Sequence, residues 1–364
     1  MKKTLMAGTA LVAGGILLAA APVSAAEKIK LGLGGYMEQW FGYSDEDSTY
    51  ELANPPANGL DQKSDSEIYF KGSTKLDNGI SVGVKWELEG DSTDIDAGSS
   101  AFDEAMLYLS GSFGRINIGK EDTASELLGY GAPSVGPIGL NKSDANDWVR
   151  QPTGVSSLTT HSMDLGMSDK NNITYFSPRV SGVQFGVSYH PEVTEEKDTK
   201  QPSSVTHQGW SGGANFVQKV AGANVAFYAA YATQELADGN QGANRTDPYG
   251  WGVGGEVGYQ NFTFGASYIM EDTTTTATNW NVGLKYSMGM NAFSVGYQES
   301  QTTNTGTVTT DDKSRLWQIG YERTLGPGVK WSSGIAHVDW DGAGTGATND
   351  NDGYMVVTGV RLDF

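Results

Sequence analysis

Cysteine is absent from the chain, and proline is scarce at 11 of 364 residues. Without cysteine no disulfide can staple the fold, so it must close by backbone pairing and packing alone. Cations are few as well: 24 Lys and Arg face 43 Asp and Glu, for a net charge of −19. Such a surface cannot neutralise a phosphate backbone, which excludes nucleic acid as a partner. It attracts cations instead. Charged residues of both signs make up only 18% of the chain. Glycine is abundant at 49, but with so little proline the chain does not read as a disordered Pro/Gly polymer. Past the N-terminus no apolar run is long enough for a membrane helix.

The one apolar run opens the chain. Met1-Lys2-Lys3 gives a positive start, Leu5 to Ala21 an apolar stretch, and Pro22-Val23-Ser24-Ala25-Ala26 small residues where cleavage would fall. This is the pattern of a secretory signal peptide, so residues 1–25 read as a leader and 26–364 as the mature chain. Cleavage removes Lys2 and Lys3 and no acid, which takes the net charge from −19 to −21.

The mature chain is a succession of short alternating segments. Ile29, Leu31, Leu33, Met37 and Phe41 share one parity, with Lys28, Lys30, Gly32, Gly34 and Glu38 on the other. Ile80, Val82, Val84, Trp86 and Leu88 alternate with Ser81, Gly83, Lys85, Glu87 and Glu89. These are strands with one apolar face. Asp77-Asn78-Gly79 between two of them reads as a tight hairpin turn. Counting such segments gives sixteen. Short connections (Gln260-Asn261, Met288–Asn291, Leu325–Gly328) alternate with long polar ones (Pro191–Gln208, Glu235–Pro248, Gln301–Asp312, Asp341–Asn351). An even strand count with short turns on one side and long loops on the other predicts an all-β, sixteen-stranded antiparallel transmembrane barrel. The overall hydropathy of a soluble protein is no objection, since only alternate residues of a barrel face lipid. Tyr189, Tyr231, Tyr259, Tyr268, Tyr286, Tyr297 and Tyr321 fall on the apolar parity near strand ends. That is where an interfacial aromatic girdle would lie.

One stretch breaks the rhythm. From Glu121 to Asp169 no sustained alternation appears. Connections of this length are uncommon in compact folds and are usually functional. It is expected to fold into the lumen as a constriction.

Four stretches give the chain a family resemblance: Gly111-Ser112-Phe113-Gly114-Arg115-Ile116-Asn117-Ile118-Gly119-Lys120-Glu121-Asp122, Asn172-Ile173-Thr174-Tyr175-Phe176-Ser177-Pro178, Gly182-Val183-Gln184-Phe185-Gly186-Val187-Ser188-Tyr189, and the terminal Val360-Arg361-Leu362-Asp363-Phe364. In that order they resemble the trimeric general-diffusion porins of Gram-negative bacteria, of the alpha- and betaproteobacterial type. The resemblance implies an outer-membrane homotrimer and an inward-folded loop after the fifth strand. It also implies contact with outer-membrane lipids and lipopolysaccharide, and a terminal Phe364 read by the barrel-assembly machinery. Lys120 stands where relatives often carry a wall arginine, and Phe176 where some carry another.

A pore needs opposed fixed charges across a narrow wet gap rather than a reactive centre. The loop acids Glu121, Asp122, Glu126, Asp144, Asp147 and Asp164 are candidates for one side. The wall bases Lys71, Lys85, Lys120, Lys285 and Arg361 are candidates for the other. Strict alternation sets Lys120 with Ile116 and Ile118 on the outward parity, so it reaches the lumen only where the strand ends or bulges. Inward Glu67, Glu87, Glu89 and Asp363 add negative charge, and modest cation preference follows. Calcium is the one cofactor candidate, with Asp91, Asp94 and Asp96 as hard oxygen ligands, although no complete twelve-residue calcium loop is present.

Enzyme motifs occur in the wrong setting. Gly209-Trp210-Ser211-Gly212-Gly213 fits G-x-S-x-G, but no helix follows it. Gly250-Trp251-Gly252-Val253-Gly254-Gly255 fits G-x-G-x-x-G inside a strand, where its glycines relieve crowding or bend the wall. The chain is therefore expected to be a non-enzymatic channel for passive diffusion of small hydrophilic solutes and ions. A substrate-selective channel, with Tyr130 and Trp148 lining it, and an adhesive or structural barrel stay open as alternatives.

Overall fold

The computed structural model describes residues 28–364 except 55–58, 91–101, 141–143, 156–157, 159–162, 193–205, 237–246, 304–310 and 344–348. The leader expected at 1–25 and the calcium candidates Asp91, Asp94 and Asp96 lie outside the described residues.

Sixteen strands form one closed antiparallel barrel. The first five are β1 (Gly32–Glu46), β2 (Leu60–Lys75), β3 (Ser81–Glu89), β4 (Phe102–Gly111) and β5 (Gly114–Glu121). The next five are β6 (Lys170–Phe176), β7 (Val183–His190), β8 (Thr206–Val220), β9 (Ala223–Leu236) and β10 (Tyr249–Tyr259). The remainder are β11 (Phe262–Asp272), β12 (Thr276–Met288), β13 (Asn291–Thr303), β14 (Asp312–Gly326), β15 (Val329–Asp341) and β16 (Asp350–Asp363). Each strand pairs with its neighbours in sequence, and β1 closes on β16 from Tyr36↔Asp363 to Glu46↔Gly353. Closure matters because bilayer hydrocarbon offers no partner for an open sheet edge.

The alternation read from sequence sets which face is which. Leu33, Met37, Val253, Phe264, Leu284, Ile319, Ile335 and Val356 point outward and are exposed. The seven tyrosines assigned to the girdle share that outward parity, and most pair with rings on the neighbouring strand. Tyr189 and Trp210 lie 4.4 Å apart, Tyr297 and Trp317 4.4 Å, and Phe262 and Tyr286 4.7 Å. Tight turns close one rim. At Asp77-Asn78-Gly79, Gly79 takes a positive φ of 84° and donates its N–H to Leu76 O at 2.9 Å. A side chain there would be strained.

The strands run further than their apolar alternation. β14 begins at Asp312 and pairs Asp312, Lys313 and Ser314 with Thr302, Gln301 and Ser300 of β13. Beyond the membrane both faces meet water, so pairing continues with no apolar face to reveal it. Among the described residues, two short α-helices and a 3-10 turn (Asp144–Asp147) interrupt the connections. α1 (Ser48–Ala53) is capped by Asp47, whose carboxylate accepts from Thr49 N and Tyr50 N. α2 (Ala124–Leu127) opens the long insert.

Candidate functional site

The insert runs from Asp122 to Asp169, between the end of β5 and the start of β6. Thr123 caps α2 by accepting from Glu126 N at 3.3 Å, and Ala124 N donates to Ser188 Oγ on β7 at 2.7 Å. From there the loop follows the inner wall. Asn215 Nδ2 of β8 donates to Leu128 O at 3.2 Å, and Ala132 N to Asn281 Oδ1 of β12 at 2.8 Å. Val135 N donates to Ser294 Oγ of β13 at 3.0 Å. Gln234 Nε2 of β9 reaches Leu165 O at 2.7 Å. Asn351 Nδ2 of β16 reaches Arg150 O at 2.7 Å. Wall side chains thus satisfy loop backbone groups that water would otherwise serve.

Packing reinforces the bonds. Loop residues Ile138, Leu140, Val149, Val155 and Leu158 form one buried cluster with Leu316, Val338, Trp340, Met355 and Val357 of β14–β16. Met163 and Met167 bury against Tyr228, Ala230 and Ala232 of β9. Each fully buried side chain of this size contributes roughly 1.5–3 kcal/mol. The barrel therefore carries a hydrophobic core on its inside, under the loop.

Inward glycines make room for it. A Cβ on Gly254 would overlap the Tyr130 carbonyl, one on Gly320 the Val135 carbonyl, and one on Gly296 the Leu140 side chain. Gly250 and Gly252 face Met163. The G-x-G-x-x-G pattern of β10 is thus largely a bed for the loop, in keeping with the crowding relief expected of it.

Among the described residues, two of the cavities inside the barrel border the loop. One, of about 540 Å³, is lined by Lys71, Lys85, Tyr108, Arg115, Asn117, Glu121, Leu127, Leu128 and Phe176 among others. The other, of about 410 Å³, lies between Gly136, Pro137, Asp144, Asp147 and Trp148 of the loop and Glu38, Lys63, Asp65, Glu322 and Arg361 of the wall. Three wall cations rest on tyrosine rings: Arg361 on Tyr36 at 3.9 Å, Lys71 on Tyr69 at 4.1 Å and Arg115 on Tyr108 at 4.2 Å. Acids hold several of them. Arg361 donates to Glu38 at 2.5 Å and to Asp363 at 2.8 Å. Lys85 pairs with Glu87 at 2.9 Å and with Glu104, and Lys71 lies 3.5 Å from Glu87.

The expected loop acids separate into groups. Asp144 and Asp147 line the second cavity, and Glu121 the first. Asp122 is half-buried beside Glu104 and Glu126; burial, then those two charges, push its carboxyl up to about 8. Asp169 rises to about 7 through burial and the charges of Asp103, Asp122 and Glu104. Glu126 accepts from Ser168 Oγ. Asp164 serves the loop itself, accepting from Gly166 N at 3.1 Å and Ser168 N at 3.3 Å. Of the wall bases, Lys71, Lys85 and Arg361 line the cavities, whereas Lys285 faces inward but lines neither.

Lys120 is a correction. It pairs with Ala105 and Asn171 in regular register, without a bulge, and so stays outward. Its Nζ donates to Phe102 O at 2.8 Å on the outer side. Arg115, which the reading of wall bases left out, supplies the lumenal cation of that strand. Its parity with Asn117 and Glu121, opposite Ile116 and Ile118, was the available signal. Trp148 lines the second cavity, with Lys63 Nζ 5.2 Å from its ring, while Tyr130 packs beside Met163 and lines neither cavity.

Among the described residues, two carboxylate groups could hold a hard cation: Glu104, Asp122 and Asp169, and Glu67, Glu89 and Asp103, each with oxygens within 4.8 Å of one another. Gly209–Gly213 lies wholly within β8, far from any strand-to-helix elbow.

The comparisons with known proteins agree with this architecture. The sequence matches the family described as Gram-negative porin over residues 7–343. It is 26% identical over 316 residues to an outer membrane porin protein of Bordetella pertussis, covering 79% of this chain and 72% of that one. Among solved structures, the anion-selective porin from Comamonas acidovorans superposes with a TM-score of 0.64 at 16% identity, over 93% of this chain and all of that one. A porin refined at 1.8 Å resolution gives 0.61 at 17% identity, over 92% and 100%. At such identities the structural likeness speaks for the fold, and the sequence match speaks for the family. The chain belongs to the Gram-negative porin family and is an outer-membrane porin.

Proposed function

We propose that the protein passes small hydrophilic solutes and ions by passive diffusion, with a modest preference for cations. The observation that carries this reading is the acid balance of the 410 Å³ cavity between loop and wall. Glu38, Asp65, Asp144, Asp147 and Glu322 line it against Lys63 and Arg361, and Glu38 and Asp363 already neutralise Arg361. Low-dielectric walls focus such a field on a passing ion. Passive diffusion calls on no cofactor and no catalytic residue. Calcium enters the reading only as an occupant of the lumenal carboxylate groups.

The same reading makes the protein an exported homotrimer in contact with outer-membrane lipids and lipopolysaccharide. Residues 1–25 are its cleaved leader. Phe364 is its assembly signal: the side chain is 65% exposed, while its backbone N and O pair with Gly35 at 3.0 Å. The outer face of β3–β5 supports self-association, since its centre is aliphatic (Val82, Val84, Leu107, Leu109, Ile116, Ile118) and the ring pairs concentrate on β7–β16.

Planar-bilayer recording of the purified protein tests the function. Stepwise conductance that grows linearly with voltage and salt is expected. In a KCl gradient the zero-current potential should carry the sign of potassium permeation, and Asp147→Asn should move it toward zero. Absence of conductance overturns the pore, and a chloride-signed potential overturns the cation preference.

A further inference from the structure

The 540 Å³ cavity differs in kind from the acidic one. It lies toward the short-turn rim, below α2, and joins a cationic wall to an apolar patch. Arg115 is its centre. Nε donates to Asn117 Oδ1 at 2.6 Å and the guanidinium carbon lies 4.2 Å from the centre of the Tyr108 ring. Among the described residues no carboxylate comes within ion-pair distance of it, whereas Lys71 and Lys85 both rest on Glu87. The acid of the same cavity, Glu121, is held one side chain away, because Asn117 Nδ2 turns to Glu121 Oε2 at 3.4 Å. Asn117 therefore spaces the two charges, and the guanidinium's outer fork stays open to the cavity. Across from it, Leu127 of α2 is 44% exposed, with Leu128 and Phe176 behind it.

We propose that this cavity is a binding site for small organic monoanions: the carboxylate sits on the open fork of Arg115, and an apolar body lies against Leu127, Leu128 and Phe176. A planar guanidinium matches a carboxylate in two parallel hydrogen bonds, which a lysine cannot do. A tyrosine cushion holds the fork in place at little entropic cost. The cavity's size suits a small ligand with one polar anchor and an apolar wall. The site rests on the pore reading and gives it a substrate class. The protein would pass most solutes unselectively while retaining amphiphilic anions.

Single-channel recording of the full-length protein in KCl tests this, with benzoate, acetate and inorganic phosphate as probes. Benzoate should reduce the current saturably, with acetate and phosphate at least about tenfold weaker. Arg115→Gln should weaken the benzoate effect by about tenfold or more, the loss expected for a charge-assisted pair. Leu127→Asn, on an exposed position, should leave the phosphate response unchanged and bring benzoate close to acetate. If Arg115→Gln fails to fold, Leu127→Asn alone decides. Equal responses to benzoate and acetate in the unmodified protein overturn the site. So does a benzoate titration unchanged by either substitution. A channel that conducts KCl normally but ignores benzoate overturns this proposal alone, whereas no KCl conductance overturns the pore reading itself.

Discussion

Arg150 of the loop closes on Glu46 at the end of β1 through three hydrogen bonds. Backbone N reaches Oε1 at 2.6 Å, and Nε and Nη2 reach Oε2 at 2.8 and 2.6 Å. The Glu46 side chain is 2% exposed and that of Arg150 33%, so the carboxylate end of this latch is buried while the guanidinium end reaches solvent. Removing Arg150 leaves a buried carboxylate held by one N–H. Removing the charge of Glu46 leaves an arginine that can turn to water. Arg150→Ala should therefore cost the more, about 2–3 kcal/mol of loop docking, and Glu46→Gln less. Open-channel noise and mean conductance should rise in that order. Noise and conductance in Arg150→Ala equal to those of the unmodified protein would sink the latch.

The glycine bed makes a sharper steric prediction. Gly320 faces the Val135 carbonyl, and backbone cannot swing aside as a side-chain tip can. Gly258 is also inward, but the nearest atom to an added Cβ is Thr263 Oγ1 at 3.5 Å, an ordinary contact. Gly320→Ala should lower stability by about 1–3 kcal/mol, as overpacking does. Gly258→Ala should be nearly neutral. Heat-modifiable electrophoretic mobility measured against temperature checks this, and identical midpoints for the two variants would contradict it.

These two devices differ in how far the sequence announced them. Strand count, parity and the extent of the insert were legible because lipid imposes a strict period of two on the outer face. The inner core was not. From Ile335 to Trp340 the inward residues Ala336, Val338 and Trp340 are apolar, so the expected polar parity is missing there. Only a loop laid over the wall explains an apolar lumenal face, and that pairing is long-range. Lys120 shows the opposite limit: its alternation placed it correctly, and the family position misled. Arg115 was readable by the same alternation. The free state of its guanidinium was not, since it depends on Asn117 standing between it and Glu121.

Two loop acids raised toward neutrality predict a pH-dependent selectivity. Asp122 sits at about 8 and Asp169 at about 7, both raised above the ordinary carboxylate range chiefly by burial. Below these values the two are neutral, and above them they are charged. The cation-to-anion permeability ratio should thus rise as pH goes from about 6 to about 9, most clearly at about 0.1 M salt, where screening is limited. The same raised values mean that the folded cluster binds protons more tightly than the unfolded chain. Its contribution to stability therefore falls as pH rises from the ordinary carboxylate range of about 4 to about 8, and changes no further above that. Asp122→Asn should flatten the selectivity profile. A ratio that stays constant across this range in the unmodified protein would refute the assignment.

The outer surface offers the last test, and it separates two environments that both look apolar. Leu107 on β4 and Val253 on β10 point outward and are similarly exposed, at 40% and 43%. Val253 has Trp251 on its own strand and Tyr268 across from it, the company expected at a lipid face. Leu107 has aliphatic neighbours, Val84 and Ile118, across both adjacent strands. If β3–β5 meets a second copy of the chain, an arginine at Leu107 breaks close packing at the interface and leaves a charge that no neighbour satisfies. Leu107→Arg should then run as a heat-modifiable monomer in unheated detergent gels. Val253→Arg should cost folding yield through lipid exposure, about 2–4 kcal/mol near the bilayer centre, yet remain trimeric once folded. A trimer that survives Leu107→Arg while Val253→Arg dissociates would move the subunit contact to the opposite side of the barrel.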